Sequence, residues 1–311
     1  MTAAHEAISS IRSTIKKVVL TQSQGVELTL IGILSGGHVL LEDVPGVGKT
    51  TLAKTVARSL NMGFSRVQFT PDLLPTDILG TSVLNPKDGS FHFQEGPIFH
   101  NLLLADEINR ASPRTQSALL EAMNEKQVTI DGATRPLPNP FFVIATQNPV
   151  DYQGTYPLPE AQLDRFLLRV SLGYPSKDHE LQMLFDRQSG DPLDDIEPVM
   201  DLETLLDIQA QVREVTLEKD VALYLHALIE QTRNHKELVL GASPRATLAL
   251  FRACQARAFI NERNYVSPDD IQALAAPVLG HRVMLSNQAR YSGKTTSHIV
   301  SSIVEDLRVP T

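Results

Sequence analysis

The sequence has little cysteine, no long apolar run and no basic excess, and each shortage excludes a class of protein. Cys254 is the single cysteine, so an intramolecular disulfide is impossible and a reducing compartment is expected. No apolar run approaches the ~20 residues that a membrane-spanning helix needs. The N-terminal residues include early polar and acidic side chains and lack the apolar core of a signal peptide. We therefore expect a cytoplasmic protein without a membrane span.

The overall composition is that of an ordinary globular protein. Lys and Arg number 28 against 36 Asp and Glu, and the net charge of −8 argues against a constitutive nucleic-acid binder. Apolar residues make up 42% of the chain, which is enough for a sizeable core. The length of 311 residues predicts about two domains, because a single core rarely grows much beyond ~250 residues.

A glycine-rich loop early in the chain carries the strongest chemical signal. The apolar run 39–41 predicts a buried strand before it, and a helical pattern follows from Thr50. Such a loop is typical of a phosphate cradle, because backbone N–H groups and the helix dipole converge on an anion. Lys49 can reach the β- and γ-phosphates, and the Thr50 hydroxyl can ligate Mg²⁺. We predict a phosphate loop formed by Pro45, Gly46, Val47, Gly48, Lys49, Thr50 and Thr51.

One position departs from the usual phosphate-loop pattern, G-x-x-x-x-G-K-[ST]. Gly48, Lys49 and Thr50 fit this pattern, but Asp43 stands at the first glycine position. Gly46 can supply the flexibility that the turn needs. A glycine turn before an unremarkable helix is the structural alternative, and the flanking strand and helix argue against it.

Two further apolar runs end in polar side chains that suit the same chemistry. The first ends at Asp106 and Glu107, where Asp106 would belong to the Mg²⁺ shell and Glu107 would polarise an attacking water. The second is followed by Asn148, which can hydrogen-bond the γ-phosphate or that water. A solvated acidic turn and an Asx turn before proline are the structural alternatives. Together with the phosphate loop, these residues favour metal-assisted phosphoryl transfer to water.

The order of elements predicts an α/β core over residues 1–175. Within it, Asp-Gly pairs between short strand-like runs indicate two hairpins, near 78–97 and 127–137. The composition turns polar and acidic over 176–198, which predicts a linker with a short helix. Only helical periodicity follows, so we expect an all-helical domain over 199–311.

These motifs together resemble the AAA+ ATPases, and within them the MoxR family, over nearly the whole chain. The phosphate loop looks like the Walker A motif, and the strand ending at Asp106 and Glu107 looks like Walker B. Asn148 matches sensor 1, Arg165 in an Asp-Arg-Phe run is similar to the arginine finger, and Arg245 in Ser-Pro-Arg resembles sensor 2. The resemblance implies a five-stranded parallel sheet, a C-terminal lid, and ATP bound with Mg²⁺.

The resemblance also implies a homo-oligomeric ring, a hexamer or a closely related assembly, with nucleotide between subunits. In such a ring Arg165 would act on the neighbouring subunit's nucleotide, and Arg110 and Arg114 are competing candidates for that contact. Arg245 would serve a nucleotide either in its own subunit or in the next. The family tolerates a residue other than glycine at the position of Asp43.

The function that follows is a chaperone-like ATPase that remodels or helps mature a client, with proteins carrying von Willebrand A domains as typical partners. A nucleic-acid motor and the ATPase subunit of a metal chelatase are the alternatives. Residues 231–311 hold ten Lys and Arg against six Asp and Glu, a weak excess scattered over helices. Nucleic acid is therefore the less favoured partner.

Overall fold

The computed structural model describes residues 3–20, 23–149, 154–186 and 190–309. Short stretches of the predicted core, of the predicted linker and of the end of the predicted C-terminal domain lie outside the described residues. The helices are α1 (Ala3–Val18), α2 (Ser23–Leu34), α3 (Lys49–Ser59), α4 (Pro75–Leu79), α5 (Pro113–Glu125), α6 (Glu160–Leu163), α7 (Lys177–Asp186), α8 (Leu202–Arg213), α9 (Lys219–Asn234), α10 (Pro244–Ile260), α11 (Pro268–Leu279), α12 (Asn287–Tyr291) and α13 (Thr296–Asp306). The strands are β1 (Val39–Glu42), β2 (Phe64–Gln68), β3 (Gly80–Leu84), β4 (Phe91–Glu95), β5 (Leu102–Asp106), β6 (Gln127–Ile130), β7 (Ala133–Pro136), β8 (Phe142–Gln147), β9 (Leu168–Val170), β10 (Leu238–Leu240) and β11 (Met284–Leu285).

A five-stranded parallel sheet in the order β2-β5-β8-β1-β9 is the centre of the N-terminal part, which confirms the predicted fold class. Strands β1, β5 and β8 are mostly apolar and buried because helices cover both faces, whereas the edge strand β2 also carries Ser65, Arg66 and Gln68. In β1, Val39 and Leu41 pack into one hydrophobic cluster and Leu40 into the cluster on the opposite face. Since all strands run in parallel, the side chains at their carboxyl ends meet along one edge.

Two antiparallel hairpins, β3–β4 and β6–β7, stand apart from this sheet. They contact each other. The Ser82 hydroxyl donates to Asp131 at 2.5 Å, and the Arg135 guanidinium lies 4.0 Å from the ring centre of Phe93. The two insertions therefore form one projecting unit rather than two separate flaps.

The C-terminal part is helical, as predicted, with one addition. β10 and β11 form a short antiparallel ladder, which helical periodicity did not reveal because the two strands have only three and two residues. Helix α2 joins this part to the core. It is largely apolar and buried apart from Gln24 and Glu27, and it packs against β9 as well as against α8 and α10. No helix among the described residues is long and apolar enough to cross a membrane.

Helix α7 lies within the predicted linker and differs from the other long helices. None of its side chains in the described range is buried, and Leu184 and Phe185 are largely exposed. Its Met183 nevertheless lines a cleft beside the phosphate loop, together with Val19 and Gly48. The segment after the core thus returns to the mouth of the loop.

Candidate active site

The phosphate loop joins β1 to α3 and is open above its glycines. Gly46 and Gly48 have φ angles of +87° and +94°, which side chains rarely adopt, and a Cβ added to either glycine would meet no atom within 4 Å. Helix α3 begins at Lys49, and no side chain of the described residues caps its first turn. Its N–H groups and helix dipole therefore face a space that can take an anion.

Lys49 lies among three carboxylates. Its ammonium donates to the carbonyl oxygen of Asp43 at 2.7 Å, inside its own loop. Burial lowers the pKa of Lys49, while the carboxylates of Asp43, Asp106 and Glu107 act in the opposite direction. The structure thus brings the loop lysine, Asp106 at the end of β5 and the following Glu107 into one electrostatic site.

Asp43, which replaces the first glycine of the usual phosphate-loop pattern, holds the start of the loop in place. Its carboxylate accepts the Ser171 hydroxyl at 2.8 Å and the backbone N–H groups of Leu172 and Gly173 at 2.5 and 3.2 Å. These bonds tie the start of the loop to the chain just after β9. Glycine could not make them, so the departure from the usual pattern fixes the loop instead of disrupting it.

Asp106 is held on both of its carboxylate oxygens. The Thr146 hydroxyl, fully buried at the end of β8, donates to Oδ1 at 2.6 Å. The Arg66 guanidinium, on β2, donates to Oδ2 at 2.6 and 3.1 Å. The neighbouring strands therefore fix the orientation of this carboxylate before any ligand arrives.

Glu107 is held in a similar way, in the left-handed region with φ +56°. Its N–H donates to the Thr146 hydroxyl at 2.8 Å. Its Oε2 accepts from the Gln68 amide at 2.8 Å and from Arg110 at 2.9 Å. A backbone conformation that is unfavourable for glutamate persists here because three partners hold it.

Asn148 follows β8 directly and is half-buried. β8 lies between β5 and β1, and the N–H of Asp43 donates to the carbonyl of Gln147 at 3.3 Å. Asn148 therefore stands at the same edge of the sheet as the phosphate loop and Glu107.

The two predicted arginines are placed by helical segments rather than by the carboxyl ends of the sheet strands. Arg165, half-buried between α6 and β9, donates to the Leu120 carbonyl on α5 at 2.6 Å. Arg245 is exposed in the first turn of α10. Among the described residues, neither guanidinium shares a hydrogen bond with the phosphate loop. Arg110 is bound to Glu107, and Arg114 is exposed at the start of α5.

Comparisons with known proteins agree with this geometry. The family model of the "ATPase family associated with various cellular activities (AAA)" matches residues 38–168, and that of the AAA lid domain matches residues 230–303. The chaperone MoxR1 of Mycobacterium tuberculosis is 39% identical over 95% of this chain and 80% of its own length. The chain belongs to the MoxR family of AAA+ ATPases.

Other relatives of this MoxR-family chain extend over nearly its full length. The protein YeaC of Bacillus subtilis is 47% identical over 98% of this chain and 96% of its own. A crystal structure of an ATPase from Cytophaga hutchinsonii superposes with a TM-score of 0.91 at 39% identity, covering 99% of this chain and 96% of the other. The predicted family and fold class are both confirmed.

Three residues that touch the acidic pair were missing from the sequence prediction: Arg66, Gln68 and Thr146. A signal for two of them exists. Gln68 is the last residue of β2, and Thr146 is a polar side chain near the end of an otherwise apolar strand. Polar residues at the carboxyl ends of parallel strands deserve the same weight as the acidic ones. Arg66 gives no such signal, because its contact depends on the strand order.

Proposed function

We propose that this MoxR-family protein hydrolyses ATP at the subunit interfaces of a homo-oligomeric ring, a hexamer, and uses the cycle to remodel or mature a client protein. The observation that carries the proposal is the paired acidic site. Asp106 and Glu107 are each fixed by neighbouring strands, within electrostatic reach of Lys49 and beside an open phosphate loop.

In this proposal the chain's residues hold the reactants in position. Lys49 and the first N–H groups of α3 bind the phosphates. Thr50 and Asp106 would hold Mg²⁺, which when bound offsets the negative charge of the phosphates. Both oxygens of Asp106 already accept hydrogen bonds from the protein, and this arrangement suits a place in the outer shell.

Glu107 acts on the attacking water. The water oxygen bonds to the γ-phosphorus, the bond to the bridging oxygen of ADP breaks, and the water proton passes to the Glu107 carboxylate. The hydrogen bonds that fix this carboxylate use Oε2, which leaves Oε1 as the acceptor for the water. Asn148 holds the same water or the γ-phosphate from the adjacent strand end.

Arg165 serves the nucleotide of the neighbouring subunit. It precedes β9, which is an edge strand of the sheet. Its Nε is buried without a hydrogen-bond partner among the described residues, so part of its donor capacity is unused within one chain. A neighbour's γ-phosphate would replace the Leu120 carbonyl as its acceptor. Arg245 acts as sensor 2, in its own subunit or the next.

The cleft beside the phosphate loop suits the nucleotide base. It is lined by apolar side chains from three segments, among them Val18, Val47, Met183 and Pro192. The name of the mycobacterial relative, a chaperone, supports a client protein as the partner, and we include a von Willebrand A domain among the expected clients. The single buried cysteine, Cys254, supports a cytoplasmic location.

A mixing experiment tests the shared site. Arg165→Ala subunits should bind ATP normally and hydrolyse it roughly 10³-fold more slowly, the scale of arginine fingers. Lys49→Ala subunits keep the finger and lose the phosphate loop. An equal mixture should recover activity that neither variant has, because some interfaces combine an intact loop with an intact finger. If the mixture stays inactive although subunits exchange, Arg165 does not act in trans. The same pairing with Arg114→Ala then tests the competing arginine.

A further inference from the structure

The segment 164–167, which contains Arg165, is held by the C-terminal part of the chain. The side chain that holds it is Arg282, three residues beyond α11 and only 5% exposed. Arg282 donates to the Asp164 carboxylate at 2.7 Å and to the carbonyl oxygens of Asp164, Phe166 and Leu167 at 3.2, 2.6 and 2.9 Å. A further bond, to the carbonyl oxygen of Val278, anchors the guanidinium on α11.

Two more contacts from the C-terminal part reach the same segment. The ring of His281 bonds the Phe166 carbonyl at 2.9 Å, and burial, followed by the charge of Arg282, lowers the His281 pKa well below its usual range. The ring is therefore neutral at pH 7, and Arg282 is the cation that pairs with Asp164. The Ser243 hydroxyl donates to the other oxygen of Asp164 at 3.3 Å, and it also caps the helix that carries Arg245.

These contacts act on the backbone on both sides of Arg165. Asp164 precedes it and Phe166 follows it, and both carbonyls accept from the same guanidinium. The planar fork of arginine can serve several acceptors at fixed angles, whereas a lysine ammonium offers a point charge. Arg282 is itself buried, and four of its five hydrogen bonds within the described part of the chain go to residues 164–167, so we expect an effect on hydrolysis to pass through this segment.

We propose that Arg282 is a positioning residue, which aligns Arg165 for the neighbouring subunit's nucleotide and couples the finger to the orientation of the C-terminal domain. The proposal rests on the trans-acting role of Arg165 proposed above. Asp164 connects the finger segment to the C-terminal domain at two points. One of its carboxylate oxygens accepts from Arg282, and the other accepts from Ser243, which caps the helix that carries Arg245. A rotation of the C-terminal domain would therefore move the finger.

The test is a complementation experiment with Arg282→Lys. A subunit with a misplaced finger should bind ATP normally, and alone it should hydrolyse ATP about 10²-fold more slowly, the loss expected from a displacement of about 1 Å. Mixed with Lys49→Ala subunits it should recover activity, because its own phosphate loop is intact. Mixed with Arg165→Ala subunits it should not recover, because both chains then lack a working finger. Arg290→Lys, an exposed change on α12, should behave as wild type.

The pattern separates the possible outcomes. If Arg165→Ala complements Lys49→Ala but Arg282→Lys does not, then Arg282 supports the whole subunit and the positioning role is wrong. If the Arg165→Ala and Lys49→Ala pair itself stays inactive although subunits exchange, the trans-acting role of Arg165 is wrong and this inference fails with it. Should Arg282→Lys not fold, Asp164→Asn removes the same ion pair from the core side. It should complement in the same pattern, and failure to do so contradicts the proposal.

Discussion

The two edges of the central sheet carry polar networks of opposite kinds. At the carboxyl edge, Asp106 and Glu107 are held by neighbouring strands beside a loop whose glycines face open space. At the amino edge, His38 is buried just before β1. Its ring bonds the Met123 carbonyl at 3.2 Å and accepts the N–H of Val143 at 3.0 Å. One network is fixed but leaves room for a ligand, and the other is closed.

The difference shows how one sheet separates chemistry from stability. In a closed network the donors and acceptors form hydrogen bonds with each other inside the protein, so breaking the network destabilises the fold. An open network keeps donors such as the α3 N–H groups without a side-chain cap, so breaking it should harm ligand binding while the fold persists. Variants at the two edges should therefore affect different measurements.

The largest effect on nucleotide binding is expected for Lys49→Ala, at the open edge. The loop would lose its fixed cation, and with it a charged hydrogen bond worth about 3 kcal/mol. The ATP dissociation constant should therefore rise by about 10²-fold or more. Calorimetric titration measures this constant. The melting temperature should change little, because among the described residues the Lys49 ammonium donates only to its own loop. Lys54→Ala, an exposed lysine of the same helix, is the matched control. An unchanged dissociation constant would mean that the loop is only a turn.

The effect on nucleotide binding is expected to be smaller for Glu107→Gln, which should act selectively on hydrolysis. The amide keeps the shape of the carboxylate but cannot take the proton of water, so hydrolysis should fall by about 10²–10⁴-fold while ATP binding stays near normal. Turnover at saturating ATP and a separate titration measure the two quantities. Glu125→Gln, exposed at the end of α5, is the control. Near-normal turnover in the Glu107 variant would remove this residue from the chemistry.

The sequence predicts the open edge better than the contacts that support it. The phosphate loop and the strand ending at Asp106 are local patterns, and their strand and helix periods place them correctly. The bond from Arg66 to Asp106 depends on β2 lying beside β5, which spacing along the chain does not encode. Arg282 contacts residues more than a hundred positions away, so its burial was equally hidden. The catalytic roles of the site residues stay predictions.

The smallest effect on nucleotide binding is expected at the closed edge, from His38→Gln. The pKa of His38 is lowered to about 4, because burial outweighs the opposing effect of the bond to the Met123 carbonyl and the charge of Lys126 adds to the lowering. In the unfolded chain the imidazole of His38 has a pKa of about 6.5. Between pH 6.5 and pH 4 the unfolded chain therefore binds a proton at His38 while the folded protein does not. The free energy of unfolding thus falls as the pH falls from 6.5 towards 4. The wild type should therefore lose about 3 kcal/mol of unfolding free energy more than His38→Gln between pH 7 and pH 4.

Glutamine offers the same donor and acceptor without titrating, and all other groups titrate in both proteins. Urea unfolding at the two pH values measures the difference. Equal losses would show that His38 does not stabilise the fold through its neutral form, and a changed ATP dissociation constant at pH 7 would break the separation between the two edges.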